Sequence, residues 1–196
     1  MFVQIIQGKV KDPDLIRRQM ERWRAELRSG ATGFLGSTGG TTPDGRSITL
    51  ARFESEDAAR ANSGRPEQSA WWQDTAQAYD GEPTFHDCRE ADEILGGGSD
   101  DAGFVQVIQG RAKDQQRMRT MAGEMEGELR KRRPDVLGGI VAWHGDGGFT
   151  QAVYFTSQEE ARRREKETEQ DELGQEFMSL IDGEPEFFDL TEPELD

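Results

Sequence analysis

The sequence predicts an α+β protein made of two tandem copies of one β-α-β-β-α-β unit, packed sheet to sheet as an intramolecular pseudo-dimer. Three observations predict it. The phrase FVQIIQG (Phe2–Gly8) returns as FVQVIQG (Phe104–Gly110). DGEPTFHD (Asp80–Asp87) returns as DGEPEFFD (Asp182–Asp189) at the same offset of 102 residues, so no gap intervenes, and about a third of the aligned pairs are identical. Within each copy, strand-like and helix-like apolar periodicities alternate in the same order. A repeat this long lies outside the solenoid range and marks two homologous small domains. They are read as 1–89 and 104–196, joined by a flexible connector, 90–103, which contains LGGGSDDAG.

Each element follows from local chemistry. Phe2–Gly8 is rich in β-branched residues and stops at a glycine, which gives a strand. Asp12-Pro13 then supplies an N-cap and a proline at the first helical position, and Ile16, Met20, Trp23 and Leu27 share one face of the helix that follows. In the second copy Asp114 is the cap and Met118, Ala122, Met125 and Leu129 form the equivalent stripe. Gly33–Gly39 and Ser47–Phe53 read as a hairpin about Pro43-Asp44-Gly45; Val136–Trp143 and Phe149–Phe155 repeat it about Asp146-Gly147. Ser55 opens the next helix, as does Ser157, which makes a Ser-x-x-Glu capping box with Glu160. After a break at Gly64-Arg65-Pro66 a further helical stretch runs to Tyr79, and Asp80-Gly81-Glu82-Pro83 turns the chain into the last strand.

This order is that of the ferredoxin-like split βαβ unit, an antiparallel sheet with both helices on one face. Phe2, Gln4 and Ile6 alternate with Val3, Ile5 and Gln7, so both faces of the sheet are substantially apolar. One face covers the helices; the other is expected to take the sheet of the second copy.

Composition excludes several classes. With 196 residues the chain can bury a real core, and although mean hydropathy is −0.84, the apolar residues are grouped in periodic runs. A net charge of −15 argues against a nucleic-acid partner, because phosphate contacts need a concentrated cationic surface. The basic run Arg130–Arg133 follows a helical pattern and suits the negative end of a helix dipole. No apolar run approaches the roughly 20 residues that span a bilayer, and no targeting segment is read at the N-terminus, so no membrane partner and a cytoplasmic location are expected. Cys88 is alone and reads as a small buried hydrophobe. Neither His86 nor His144 has a second ligand at metal-binding spacing, and no glycine-rich phosphate cradle opens a helix after a strand. No metal and no cofactor are therefore expected.

The segment GFLGSTGGTTPDGRSITLARFESEDAARANSGRPEQSAWW (Gly33–Trp72) resembles the antibiotic-biosynthesis monooxygenase group of the dimeric α+β barrel superfamily. The resemblance lies in the Gly-Phe-Leu-Gly-Ser strand, the exit Phe53-Glu54-Ser55, and Pro66-Glu67 followed by tryptophan. It implies that a pair commonly built from two identical subunits is fused here into one chain, a monomer or weak homodimer. It also implies a spread of activities: cofactor-free oxygenases of aromatic polyketides or quinols, haem-degrading enzymes, isomerases, and proteins without a known reaction. Haem-degrading relatives carry a first-strand Asn, a helical Trp and a downstream His that binds the iron. Here Gln4 or Gln7 stands for the Asn, and no His occurs from Gln73 to Pro83, so haem is not expected.

The repeat offers its own test of conspicuous residues. Trp23 matches Met125 and Trp71 matches Leu173, which favours core packing. Trp72 matches Gly174, as expected of a residue lining a cavity in one half only, although an interface tryptophan would look the same. His86, opposite Phe188, is either a hydrogen-bonded imidazole in an apolar face or a general base. His144 reads as a solvated turn residue. Gln4 and Gln106 are assigned to the barrel interior, as pins or as ligand contacts, with Gln7 and Gln109 on the opposite face. Arg52 and Tyr154 are a further polar pair on the third strands.

Two functional readings follow. One is a cofactor-independent monooxygenase-like protein that acts on or binds a small aromatic molecule. His86 would be catalytic and Gln4, Trp72, Arg52, Gln106 and Tyr154 ligand-binding, around a cavity between helices and sheet or inside the barrel. The other is a non-catalytic ligand-binding or interaction module of the same fold.

Overall fold

The computed structural model describes residues 1–168 and 172–196, and the side chains of all but 168–173. The chain divides into two compact units, Met1–Arg89 with Glu194–Asp196, and Glu90–Pro193. Each is a five-stranded antiparallel sheet with helices on one face, so the chain is a tandem duplication of a ferredoxin-like unit.

In the first unit, β1 (Phe2–Lys9) leads to α1 (Pro13–Arg22), which continues through a π-helical turn (Trp23–Leu27) and a 3-10 turn (Arg28–Gly30). The hairpin β2 (Phe34–Thr41) and β3 (Arg46–Phe53), helices α2 (Glu56–Ser63) and α3 (Pro66–Ala76), and strand β4 (Thr84–Cys88) follow. The expected caps form: the Leu15 amide donates to Asp12 Oδ1 at 2.9 Å and the Ala58 amide to Ser55 Oγ at 3.2 Å. Val3, Ile5, Ile48 and Leu50 are fully buried on the sheet face away from the helices. Phe2 and Phe53 pack with Ala59 on the helix side, beside a cluster of Trp23, Leu27, Ala31 and Trp71.

The second unit begins with β5 (Glu90–Ile94) and repeats the pattern in β6 (Phe104–Ala112), α4 (Gln115–Arg132), β7 (Val136–Trp143), β8 (Gly148–Phe155), α5 (Gln158–Thr168), α6 (Glu172–Ser179) and β9 (Ile181–Leu190). The Arg117 amide donates to Asp114 Oδ1 at 2.8 Å and the Glu160 amide to Ser157 Oγ at 3.2 Å. Here α4 runs without interruption where the first repeat breaks into a π turn. Both hairpins carry a bulge at the same place, between Phe34 and Gly36 and between Val136 and Gly138.

The edges of the sheets differ from expectation. The segment 90–103, read as a connector, contains β5, which pairs with β7 in the second unit. The last strand, β10 (Glu194–Leu195), pairs with β2 and so belongs to the first unit, not to the repeat it follows. The orders are therefore β10-β2-β3-β1-β4 and β5-β7-β8-β6-β9. Glu194 pairs with Gly39 and Asp92 with Val141, positions related by the repeat offset, so the exchange of edge strands is itself repeated. The charged residues that hid these strands from sequence reading are those an edge tolerates, because an edge strand is solvated on one side. Among the described residues no helix is long and apolar enough to cross a membrane.

Candidate functional site

Each unit holds a cavity between its sheet and its helices. In the first unit it measures about 100 Å³. Its floor is Gln4 and Ile6 of β1 with Ser37, Ser47 and Thr49; its walls are Met20, Trp23, Trp71, Trp72 and Tyr79. The rings lean on one another: Trp23 meets Phe34 edge-on at 4.8 Å between centroids, and Trp72 meets Phe85 edge-on at 5.2 Å. Two of the tryptophan N–H groups are satisfied, Trp23 Nε1 donating to Gln68 Oε1 at 2.9 Å and Trp71 Nε1 to the Gln19 carbonyl at 2.7 Å. Glu194 enters from β10, where burial pushes its carboxyl above the usual carboxylate range and Arg24, 3.6 Å away, opposes that shift.

The cavity of the second unit is larger, about 450 Å³. Along α4, Met118, Met121 and Met125 face it at helical spacing; Gln106, Ile108, Val141 and Gln151 come from the sheet, and Gly174 and Phe177 from α6. Its polar corner is built around Asp92 of β5. Trp143 Nε1 donates to Asp92 Oδ2 at 2.7 Å, Arg119 pairs with the same oxygen at 2.9 Å, and the Arg119 guanidinium lies 5.1 Å from the centre of the Trp143 ring. Arg133, another wall residue, is held by Asp135 at 2.8 Å.

The volumes differ because side chains at matched positions differ. Trp23 becomes Met125, Phe34 becomes Val136 and Trp72 becomes Gly174, each exchange removing aromatic bulk. Exchanges in the other direction also occur, Thr75 becoming Phe177, Gly39 becoming Val141 and Thr41 becoming Trp143. Pockets for small organic ligands run from roughly 300 to 1,000 Å³, which the second cavity reaches and the first does not.

Of the residues singled out by sequence, Gln4 and Trp72 line the first cavity and Gln106 the second. The face given to the glutamines is corrected: Gln4 and Gln106 point toward the helices, because Phe2 and Ile6 are the residues that meet helical side chains, while Val3 and Ile5 take the other face. Each amide donates to a matched carboxylate, Gln4 to Asp87 and Gln106 to Asp189, both at 2.9 Å. His86 does not join them. It pairs with Ile5 across β1 and β4 and so projects from the opposite face, where Arg52, opposite Val3, and Tyr154, opposite Val105, also stand. None of the three lines either cavity. His144 follows β7, with its Nε2 2.8 Å from Thr150 Oγ1. Leu173, the counterpart of Trp71, has its side chain outside the described residues. Among the described residues no group of His, Cys, Asp and Glu could hold a metal ion.

Asp92, Arg119, Arg133 and Glu194 were missed. The first and last sit on the exchanged edge strands; Arg133 reads only as part of the basic run at a helix end, and Arg119 belongs to no motif. Met121 had a signal, its i, i+3, i+7 spacing with Met118 and Met125.

No family model matches the chain. None of the curated proteins matches it either. Solved structures do. A "putative monooxygenase" from Fusobacterium nucleatum superposes with a TM-score of 0.74 at 9% identity, covering 100% of this chain and 93% of that one. A "putative monooxygenase" from Lactobacillus acidophilus gives 0.71 at 12% identity over 96% and 92%. An "anthrone oxidase-like protein" gives 0.65 at 12% identity over 99% and 92%.

Proposed function

We propose, from the premise that the whole chain has the fold of these monooxygenase-like structures, that it binds a small, largely apolar aromatic molecule in the cavity of the second unit and oxidises it without a cofactor. The observation that carries this reading is the cavity itself: about 450 Å³, walled by thioethers and aromatic rings, with Asp92 and Arg119 paired at one polar corner. Such a site positions a planar ring by apolar contact and orients its oxygen or acidic C–H by a few hydrogen bonds. In the reaction a methylene flanked by aryl rings loses a proton, the resulting carbanion reduces dioxygen, and the products are a ketone and water, so atoms and electrons balance without another reductant. Of the carboxylates on the wall, Asp92, beside Trp143 and Arg119, is the one to which that proton would pass.

The pairing of Asp92 with both Trp143 and Arg119 favours a second reading, binding without turnover, since both partners crowd the same carboxylate oxygen, Oδ2, and leave less of it open to a substrate. One experiment separates the two. With anthrone as substrate, oxygen uptake is expected from the wild-type chain, to fall at least about tenfold in Asp92→Asn, and to persist in His86→Ala, whose ring lies on the other sheet face. Saturable binding of anthrone with no oxygen uptake would leave only the binding reading; loss of uptake in His86→Ala would contradict the placement of the site.

A further inference from the structure

The two repeats can be read against each other residue by residue, because their sheets keep the same internal register. Ile6 pairs with Phe85 and Val3 with Cys88; Ile108 pairs with Phe187 and Val105 with Leu190, each related by the repeat offset. Trp72 and Gly174 are likewise matched, on α3 and α6. In the first unit the Trp72 indole is enclosed by rings: Phe85 edge-on at 5.2 Å, Trp71 at 6.2 Å and Tyr79 at 6.3 Å. In the second unit a Cβ added at Gly174 would meet no atom within 4 Å, and Gly174 lines the larger cavity. The ring matched to Phe85 is still there. Phe187 stands on the helix side opposite Ile108, itself a wall residue, and is 41% exposed.

We infer that a ring of the bound ligand takes, in the second unit, the place that the Trp72 indole takes in the first. Trp72 is then an internal stand-in that closes the first site, and the chain binds one aromatic molecule, in the second unit only. This rests on the binding reading above and adds to it the class of ligand and the residue that sets occupancy. The ligand is a fused aromatic of two or three rings. One ring lies edge-to-face against Phe187, an arrangement that contributes beyond buried area. The remainder reaches inward along Met118, Met121 and Met125, whose flexible thioethers accommodate ring edges. One indole-sized ring would not fill a cavity of about 450 Å³, which is why the class extends past a single bicycle.

The test uses the full chain with 1-naphthol as probe, followed by calorimetric titration, and anthrone as a second probe. The wild-type chain is expected to bind one equivalent of 1-naphthol. Gly174→Trp is expected to weaken binding at least about tenfold with an unchanged Tm. Should Gly174→Trp lower the Tm, Gly174→Leu fills the same space with a smaller group and is expected to weaken binding as well. Trp72→Gly is expected to add a second equivalent, and Phe187→Ala to weaken the original one several-fold. Undiminished affinity in both Gly174→Trp and Gly174→Leu overturns the inference while leaving the binding reading intact; a stoichiometry that stays at one in a folded Trp72→Gly overturns the stand-in role. No uptake of either probe by the wild-type chain overturns the binding reading, and the inference with it.

Discussion

At the scale of the residue, two adjacent tryptophans on one helix have different work. Trp71 is 7% exposed, donates its indole N–H to the Gln19 carbonyl, and sits in the cluster with Trp23, Leu27 and Ala31. Its removal leaves a void among rigid neighbours. Trp71→Ala is therefore expected to destabilise the first unit by about 3–5 kcal/mol, the usual cost of truncating a large buried aromatic. Trp72 is half-buried at the cavity wall and makes ring contacts alone, so Trp72→Ala is expected to cost distinctly less. Urea unfolding of the two variants side by side checks the order; equal losses would contradict the separation of core from wall. The comparison of repeats already distinguished them, since a large apolar residue stands opposite Trp71 and nothing stands opposite Trp72. What it could not supply was the face of the sheet. Both faces of β1 carry apolar side chains, and alternation alone cannot say which row meets helices, so Gln4 was assigned to the wrong side and His86 was grouped with it.

At the scale of the element, the helices were legible and the short edge strands were not. Asp12, Ser55, Asp114 and Ser157 each cap the helix they were assigned, because capping is a contact within a few residues and depends on little else. Whether Glu90–Ile94 forms a strand depends instead on β7, distant in sequence, and its own residues carry no strong strand preference. The start of α2 shows a local signal serving a distant contact. Glu56, in its first turn, accepts from Arg89 Nε at 2.7 Å and from Arg60 Nε at 3.1 Å. The Arg89 hydrogen bond foremost, then that of Arg60, hold its carboxyl down to about 2, against an ordinary value of 4.5. The folded chain thus releases this proton more readily than the unfolded chain. The stability contributed by the pairing is fully present above pH about 4.5 and is lost as pH falls toward about 2. Glu56→Gln is expected to remove that part of the acid sensitivity of the first unit, and a carboxyl titration by NMR is expected to place Glu56 lowest among the exposed glutamates of α2 and α3. A midpoint near 4.5 would show that Arg89 does not hold it.

At the scale of the whole molecule, the repeat made the duplication legible because identity at one fixed offset needs no structural knowledge. It could not show that each sheet borrows its edge from beyond the other repeat, since strands of five and two residues, EADEI and EL, are too short and too acidic to leave a pattern. That exchange makes sequence position and structural membership disagree, and the disagreement has a measurable consequence. Residues 194–196 follow the second repeat yet belong to the first unit. Asp196 exchanges backbone hydrogen bonds with Ser37, its amide donating at 3.0 Å and its carbonyl accepting at 2.8 Å, while its side chain meets Arg24 at 2.8 Å. A chain ending at Pro193 loses all of these and leaves β2 as an uncovered edge, with open N–H and C=O groups. Amide exchange is therefore expected to accelerate at Ser37 and its neighbours in β2, far from the cut in sequence, while β6 and β8 of the repeat that was shortened keep their protection, since nothing they pair with has been removed. The charged tail also holds Arg24, so an Asp196→Ala chain that keeps its backbone is expected to show a smaller effect than the truncation. If exchange quickened in the second unit and not at Ser37, the edge strand would not be where its backbone partners put it.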